Sequence, residues 1–146
     1  MRIEHDALVM VADGGKMLLF RNEGDADYPH LEVETAAENA NPPTHDQASD
    51  APGRAFASVG GARSAMGETD FHDQQEDRFA ADAVALLNKR ALANDYEKLI
   101  IVAPPAVLGE MRKHYHKALQ ERLVGEIGKD LTGHHPPDIE QAISQY

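Results

Sequence analysis

A chain of 146 residues with net charge −11, from 14 Lys plus Arg against 25 Asp plus Glu, has the size of one domain and is no globally basic nucleic-acid binder. It has no cysteine, which excludes disulfides, iron–sulfur clusters, thiolate zinc sites and cysteine nucleophiles. A hydrophobic content of 42% supports a folded core and argues against wholesale disorder.

The first six residues carry two acids, Glu4 and Asp6, and the first apolar run, Ala7 to Ala12, is closed by Asp13. A secretory leader needs a basic start and roughly 7–15 apolar residues, and a membrane span needs roughly 20. The expectation is therefore a cytoplasmic protein with no membrane contact. Leu8-Val9-Met10-Val11-Ala12 reads as a strand buried on both faces. Asp13-Gly14-Gly15-Lys16 is a turn signal. Met17 to Phe20 should then return as the second strand of a hairpin, and the alternation of Leu31-Glu32-Val33-Glu34 suits a third strand near the sheet edge.

Asn39, Pro42, Pro43, Pro52, Gly53, Gly60, Gly61 and Gly67 interrupt any regular period, so a long flexible loop is expected at about residues 38–72. Asp73-Gln74-Gln75-Glu76 fits a capping box, which predicts a helix starting there. Phe79, Ala83, Leu86, Leu87 and Ala91 would form its buried face, and Asn94-Asp95 would end it. Leu99 to Ala103, the second fully apolar run, should lie beside the first strand. Pro105 suits the first position of a helix, with Leu108, Met111, Tyr115 and Leu119 on its buried side. Gly125 to Leu131 reads as a last strand, and Pro136-Pro137 precede a short helix that turns Ile139 and Ile143 inward. The sum is one α/β domain over residues 1–146. Its mixed sheet has about five strands, an antiparallel β-β-β start followed by parallel β-α-β-α units, with helices packed on it.

Chemistry-bearing residues are sparse. Asp70, His72, Asp73 and Glu76 gather at the expected start of the first helix, where oxygen and imidazole ligands could hold a divalent cation. Acids there also cap free N–H groups and oppose the helix dipole, and capping is the favoured reading. Asp13 ends the first strand, but the central apolar strand carries no acid, so a two-metal nuclease set is incomplete and Asp13 is assigned to its turn. None of the eight histidines has an i, i+4 partner, the helical spacing that lets two imidazoles share a zinc. No phosphate-binding loop or nucleophile elbow surrounds Ser58 or Ser64, and no cofactor is expected.

Charge is uneven. Eight acids and no Lys or Arg lie between Asn22 and Asp50, whereas Lys89 to Arg122 holds seven basic and four acidic residues. A polyanion would have to be met locally, by Arg54 and Arg63 in the loop and by Arg112-Lys113-His114-Tyr115-His116-Lys117, read as a basic helical turn. A solvated helix face is the plainer reading of that turn. The acidic stretch would suit a basic protein partner.

Four segments carry a family resemblance: Leu8 to Gly14, Pro52-Gly53-Arg54-Ala55-Phe56, Asp70-Phe71-His72 leading to Phe79-Ala80, and Gly125 to Thr132. In this order they resemble the bacterial host attachment protein family, proteins described as required for attachment to host cells. That family is similar in fold to the middle domain of archaeal and eukaryotic peptide-chain release factors. Release factors carry a Gly-Gly-Gln tripeptide just before a long helix, and its Gln positions the water that cleaves peptidyl-tRNA. Here Gly60-Gly61-Ala62-Arg63-Ser64 stands at the matching place. Gly60 and Gly61 carry over as positions where backbone approaches RNA, or form a simple flexible turn. Ala62 replaces the Gln, and a methyl group cannot orient water.

The resemblance thus implies a release-factor-like fold and a non-catalytic translation module bound to ribosome or tRNA, with attachment an indirect phenotype. Its RNA-binding candidates are Arg54, Gly60, Gly61, Arg63, Arg112, Lys113 and Lys117. Two readings stay open beside it. One is a protein–protein interaction or signalling module that meets a basic partner. The other is a hydrolase, acting on peptidyl-tRNA or using a metal at Asp70, His72, Asp73 or Glu76.

Overall fold

The two fully apolar runs need cover on both faces, and a central position in a sheet between two layers of helix provides it. The computed structural model describes residues 1–38 and 61–146, and in the second span it describes side chains from Gln74 onward. Its elements are β1 (Leu8–Ala12), β2 (Lys16–Asn22), β3 (Leu31–Glu38), α1 (Gly61–Leu92), β4 (Leu99–Val102), α2 (Pro105–Arg112), α3 (Lys117–Arg122), β5 (Leu123–Ile127) and α4 (Pro136–Ser144). The sheet order is β3-β2-β1-β4-β5. β1 pairs antiparallel with β2, β2 antiparallel with β3, β1 parallel with β4, and β4 parallel with β5. The expected mixed five-stranded sheet is the observed one.

Strand alternation divides the core in two. Leu8, Met10, Leu19, Leu99 and Ile101 face Val84 and Leu87 of α1, Met111 of α2 and Leu119 of α3. Val9, Val11, Phe20, Ile100 and Val102 face Ile3 and the two inward residues of α4, Ile139 and Ile143. Every residue of β1 and β4 is buried, as their sequences require.

The helices depart from expectation in two places. α1 begins at Gly61, not at Asp73, so Asp73 and Glu76 lie mid-helix and the capping-box reading fails. The physical reason is that one glycine inside a helix costs only about 1 kcal/mol relative to Ala. Gly67 stands among the helix formers Ala62, Arg63, Ala65, Met66 and Glu68, which carry it. The remainder of the expected loop, residues 39–60, lies outside the described residues. The second difference follows Pro105, where one helix was expected. α2 stops at Arg112, α3 starts at Lys117, and the basic segment is the connection between them. β5 also begins earlier than Gly125 and ends at Ile127, before Asp130 and Thr132 form a turn.

α1 is longer than the sheet it covers. Its 32 residues rise about 48 Å, whereas β1 spans about 17 Å. The fully buried positions run from Ala80 to Ala91, about the length of a strand. Glu76 lies against Gly14, just past the carboxyl end of β1, where a Cβ would sit 2.6 Å from the Glu76 Oε2. A side chain at this position would make the Glu76 carboxylate swing aside. The amino-terminal half of α1 therefore continues past the carboxyl ends of β1 and β4.

Two polar clusters close the opposite end. Asn22 is the one fully buried polar side chain among the described residues. Its Nδ2 donates to the carbonyls of Ile3 at 2.9 Å, Glu4 at 3.1 Å and Asp25 at 3.2 Å. Its Oδ1 accepts from Gly24 N at 2.9 Å and His30 N at 2.8 Å. Nearby, Arg21 and Arg90 grip Glu34 at 2.6 Å each and Asp95 at 3.2 and 2.7 Å, tying β3 to the end of α1. Partial burial pushes the Glu34 carboxyl up, but the hydrogen bonds from both arginines outweigh it and hold it below the usual carboxylate range.

Candidate nucleic-acid interface

The basic connection between α2 and α3 is held against α1 by one side chain. Asn88 Nδ2 donates to the His114 carbonyl at 2.9 Å, and Asn88 Oδ1 accepts from His116 N at 3.0 Å. His116 is the N-cap of α3, its Nδ1 accepting from Ala118 N at 2.9 Å. Tyr115 and Leu119 pack inward between these polar anchors, which leaves Arg112, Lys113, His114, His116 and Lys117 exposed.

The three cations nominated in this segment are not equally available. Arg112 meets Glu126 of β5 through Nη2 at 2.8 Å and Nε at 3.0 Å, and the Tyr115 hydroxyl donates to the same carboxylate at 2.6 Å. Burial works to raise the Glu126 carboxyl, but the hydrogen bonds from Arg112 and Tyr115 prevail and hold it low. Burial first, and the bond to Glu126 second, push the Tyr115 phenol well up. Lys113 bonds Glu110 at 3.0 Å. That bond and the Glu110 charge raise the ammonium, with Asp77 of α1 adding to them. Lys117 makes no ion pair among the described residues. The pairs at Arg112 and Lys113 involve cations more than half exposed, and exposed pairs hold with roughly 0–1 kcal/mol, so phosphate can replace the carboxylate.

Of the other nominated positions, Gly61 and Arg63 lie on the far half of α1. Gly61 is its first residue and Arg63 falls in its first turn. Their side chains, like those of Asp70, His72 and Asp73, lie outside the described residues, as do Arg54 and Gly60 altogether. Arg63 precedes Asp77, the α1 residue that acts on Lys113, by fourteen positions, about 21 Å of helix rise. Gly61 and Arg63 thus stand about four turns along α1 from the level at which Asp77 faces Lys113.

At the carboxyl end of β1, Asp13 does what its turn requires. Its Oδ1 accepts from Gly15 N at 2.8 Å and Lys16 N at 2.7 Å. Its Oδ2 accepts from the Thr132 hydroxyl at 3.1 Å, which also lies 2.6 Å from Asp130. The Thr132 hydroxyl and backbone N–H hold the Asp130 carboxyl low. Among the described residues, no three His, Asp or Glu side chains are grouped to hold a metal ion. Also among them, no helix is long and apolar enough to cross a membrane.

Sequence reasoning found the basic segment but missed what shapes it. Asn88 sits inside a helical run and carries no motif, and His116 reads as one more histidine until α3 is known to start behind it. Arg112 to Lys117 holds no Ser, Thr, Asp, Asn, Gly or Pro, so the sequence carries no ordinary stop or start signal there.

Comparison with known proteins adds the lineage. The chain is 32% identical over 77 residues to the uncharacterized protein RP470 of Rickettsia prowazekii (strain Madrid E). That alignment covers 51% of each, so the chain spans about half the length of the curated relative it matches. A far longer match covers residues 6–143, from the first turn to the buried face of α4, and fits the pattern of bacterial archaeo-eukaryotic release factor family 12. With nearly every strand and helix inside that match, the chain belongs to bacterial archaeo-eukaryotic release factor family 12.

Proposed function

We propose that this protein is a non-catalytic module that associates with the ribosome or with tRNA, and that attachment to host cells, where it depends on the protein, is an indirect consequence. The observation that carries the reading is the start of α1. In a chain of a release-factor-like family, a 32-residue helix begins at Gly61, directly after Gly60, where release factors hold their tripeptide. Ala62 stands in the place of the Gln, so the sequence keeps the two glycines of the tripeptide without its water-orienting group.

Two contact regions follow from this reading. Arg54, Gly60, Gly61 and Arg63 lie at or before the start of the helix, and Arg112, Lys113 and Lys117 lie at the α2–α3 connection. A folded nucleic acid is large enough to touch both, and phosphate contacts would dominate its affinity. A basic protein partner at the acidic stretch is the weaker reading, because Glu34 is held by the partly buried Arg21 and Arg90.

Replacing Arg63 with Glu is expected to weaken binding to tRNA about tenfold and to reduce the slope of log affinity against log salt by about 1. Filter binding over a salt series measures both. Unchanged affinity and slope would remove the helix start from the interface.

A further inference from the structure

β3 is an edge strand of eight residues, and the register shows which of its groups point out of the sheet. At the two ends of β2, Lys16 O accepts from Asp13 N and Asn22 N donates to the Ala7 carbonyl, both on the β1 side. Alternation in an antiparallel ladder then turns the main-chain groups of Lys16, Leu18, Phe20 and Asn22 toward β1. Their partners across β3 are Glu38, Ala36, Val33 and Leu31, so the N–H and C=O groups of these four face outward. The Leu31 N–H does so, donating to Glu140 Oε2 of α4 at 2.8 Å. A carboxylate oxygen thus already stands where the carbonyl of an added strand would be. The outward groups of Val33, Ala36 and Glu38 have no such cover among the described residues.

The side chains along this edge set out a pattern. Leu31 lies in the core beneath α4, whereas Val33, on the same face, is 55% exposed. Ala36, opposite Leu18, continues that face and is exposed, and Glu38 follows it. Acids therefore close the apolar strip at both ends, Glu140 beside Leu31 and Glu38 beyond Ala36. Neither meets a Lys or Arg among the described residues. Glu140 also lines a groove of about 500 Å³ with Pro29 and Pro137, wide enough for the stem of a long cationic side chain. A second copy is a poor occupant. Laid antiparallel over the same stretch, it would bring Glu38 of each copy against Glu140 of the other, between chains of net charge −11.

We propose that the β3 edge accepts an added strand from a basic protein partner. The strand would pair its main chain with Val33, Ala36 and Glu38, lay two apolar side chains on Val33 and Ala36, and set a Lys or Arg against each of Glu140 and Glu38. Because one face of a strand carries every second residue, the fitting sequence is cation-x-apolar-x-apolar-x-cation. Main-chain pairing supplies the contact, so Glu34, held by Arg21 and Arg90, has no part in it. This contact is additional to the RNA-facing one, since β3 and β5 are the opposite edges of the sheet.

The test uses the full chain and the end-capped peptide Lys-Thr-Val-Thr-Val-Thr-Lys. Amide hydrogen exchange should be fast at Val33, Ala36 and Glu38 in the chain alone and slow with the peptide bound. Ala36→Pro removes an outward N–H that β2 does not use, a position where an edge strand tolerates proline. It is expected to keep the melting temperature and weaken the peptide about tenfold, the worth of one hydrogen bond and a blocked approach. Glu38→Lys, which leaves the backbone alone, should weaken it by a similar factor and flatten its salt dependence. Affinity for tRNA should be unchanged in Ala36→Pro, so failure at the edge and failure of the RNA reading are seen separately. Slow exchange at Val33 and Ala36 without peptide would overturn the proposal, because the edge would then be covered by the chain itself or by a second copy. So would no protection at about 1 mM peptide, an affinity too weak for a specific contact, or binding that both variants leave unchanged.

Discussion

Replacing Asn22 with Asp is expected to remove a large part of the stability of the fold. The side chain is fully buried, and its amide nitrogen serves three carbonyls, those of Ile3, Glu4 and Asp25. Aspartate keeps the acceptor for Gly24 N and His30 N but turns a second oxygen toward the three carbonyls. Each buried polar group left without a partner costs about 1–3 kcal/mol, and a carboxylate facing carbonyl oxygens costs more than a neutral group. The expected loss is about 4 kcal/mol or more, a large part of the roughly 5–15 kcal/mol that holds a domain together. The site cannot relax easily, because Gly24 is packed so tightly against the Tyr28 carbonyl and His30 N that even a Cβ would clash. Urea unfolding followed by circular dichroism reads the effect as a large fall in midpoint. A midpoint close to that of the wild-type chain would show that the cluster is not the staple described.

Leu87→Ala is expected to cost about 3 kcal/mol and to lower Tm by about 10 °C. Leu87 is fully buried on the face of α1 that meets Met10, Leu19 and Ile101, so its removal leaves a cavity between helix and sheet. Leu92, five residues later on the same helix, is 63% exposed, and Leu92→Ala should change stability by no more than about 0.5 kcal/mol. Thermal melts of the two variants side by side measure the contrast. Equal shifts would mean that α1 is not seated on the sheet by the face assigned to it.

β1 and β4 are readable from residues alone because a run with no polar side chain fits only where both faces are covered. Their parallel pairing followed from the same fact. The start of α1 was not readable in that way, since three glycines within eight residues look like a break and the packing that stabilises a helix is not local. Asn22 was hidden for a related reason. It opens an acidic stretch and looks like part of it, while its partners at Ile3, Glu4 and His30 arrive only when β2, the amino-terminal segment and the turn before β3 come together. The cations of the α2–α3 connection were visible as charge, but Glu126, which occupies Arg112, belongs to another strand and could not be paired with it by spacing. The helical reading of that connection failed at His116, where a side-chain cap restarts the chain as α3.

Association with the translation machinery is the claim on which the proposed function rests. Sucrose-gradient sedimentation of a lysate containing the tagged full chain, at low and at moderate salt, tests it most directly. The expected result is co-migration with ribosomal particles at low salt, weakened at moderate salt and abolished by ribonuclease. Protein confined to the top of the gradient at both salts would contradict it.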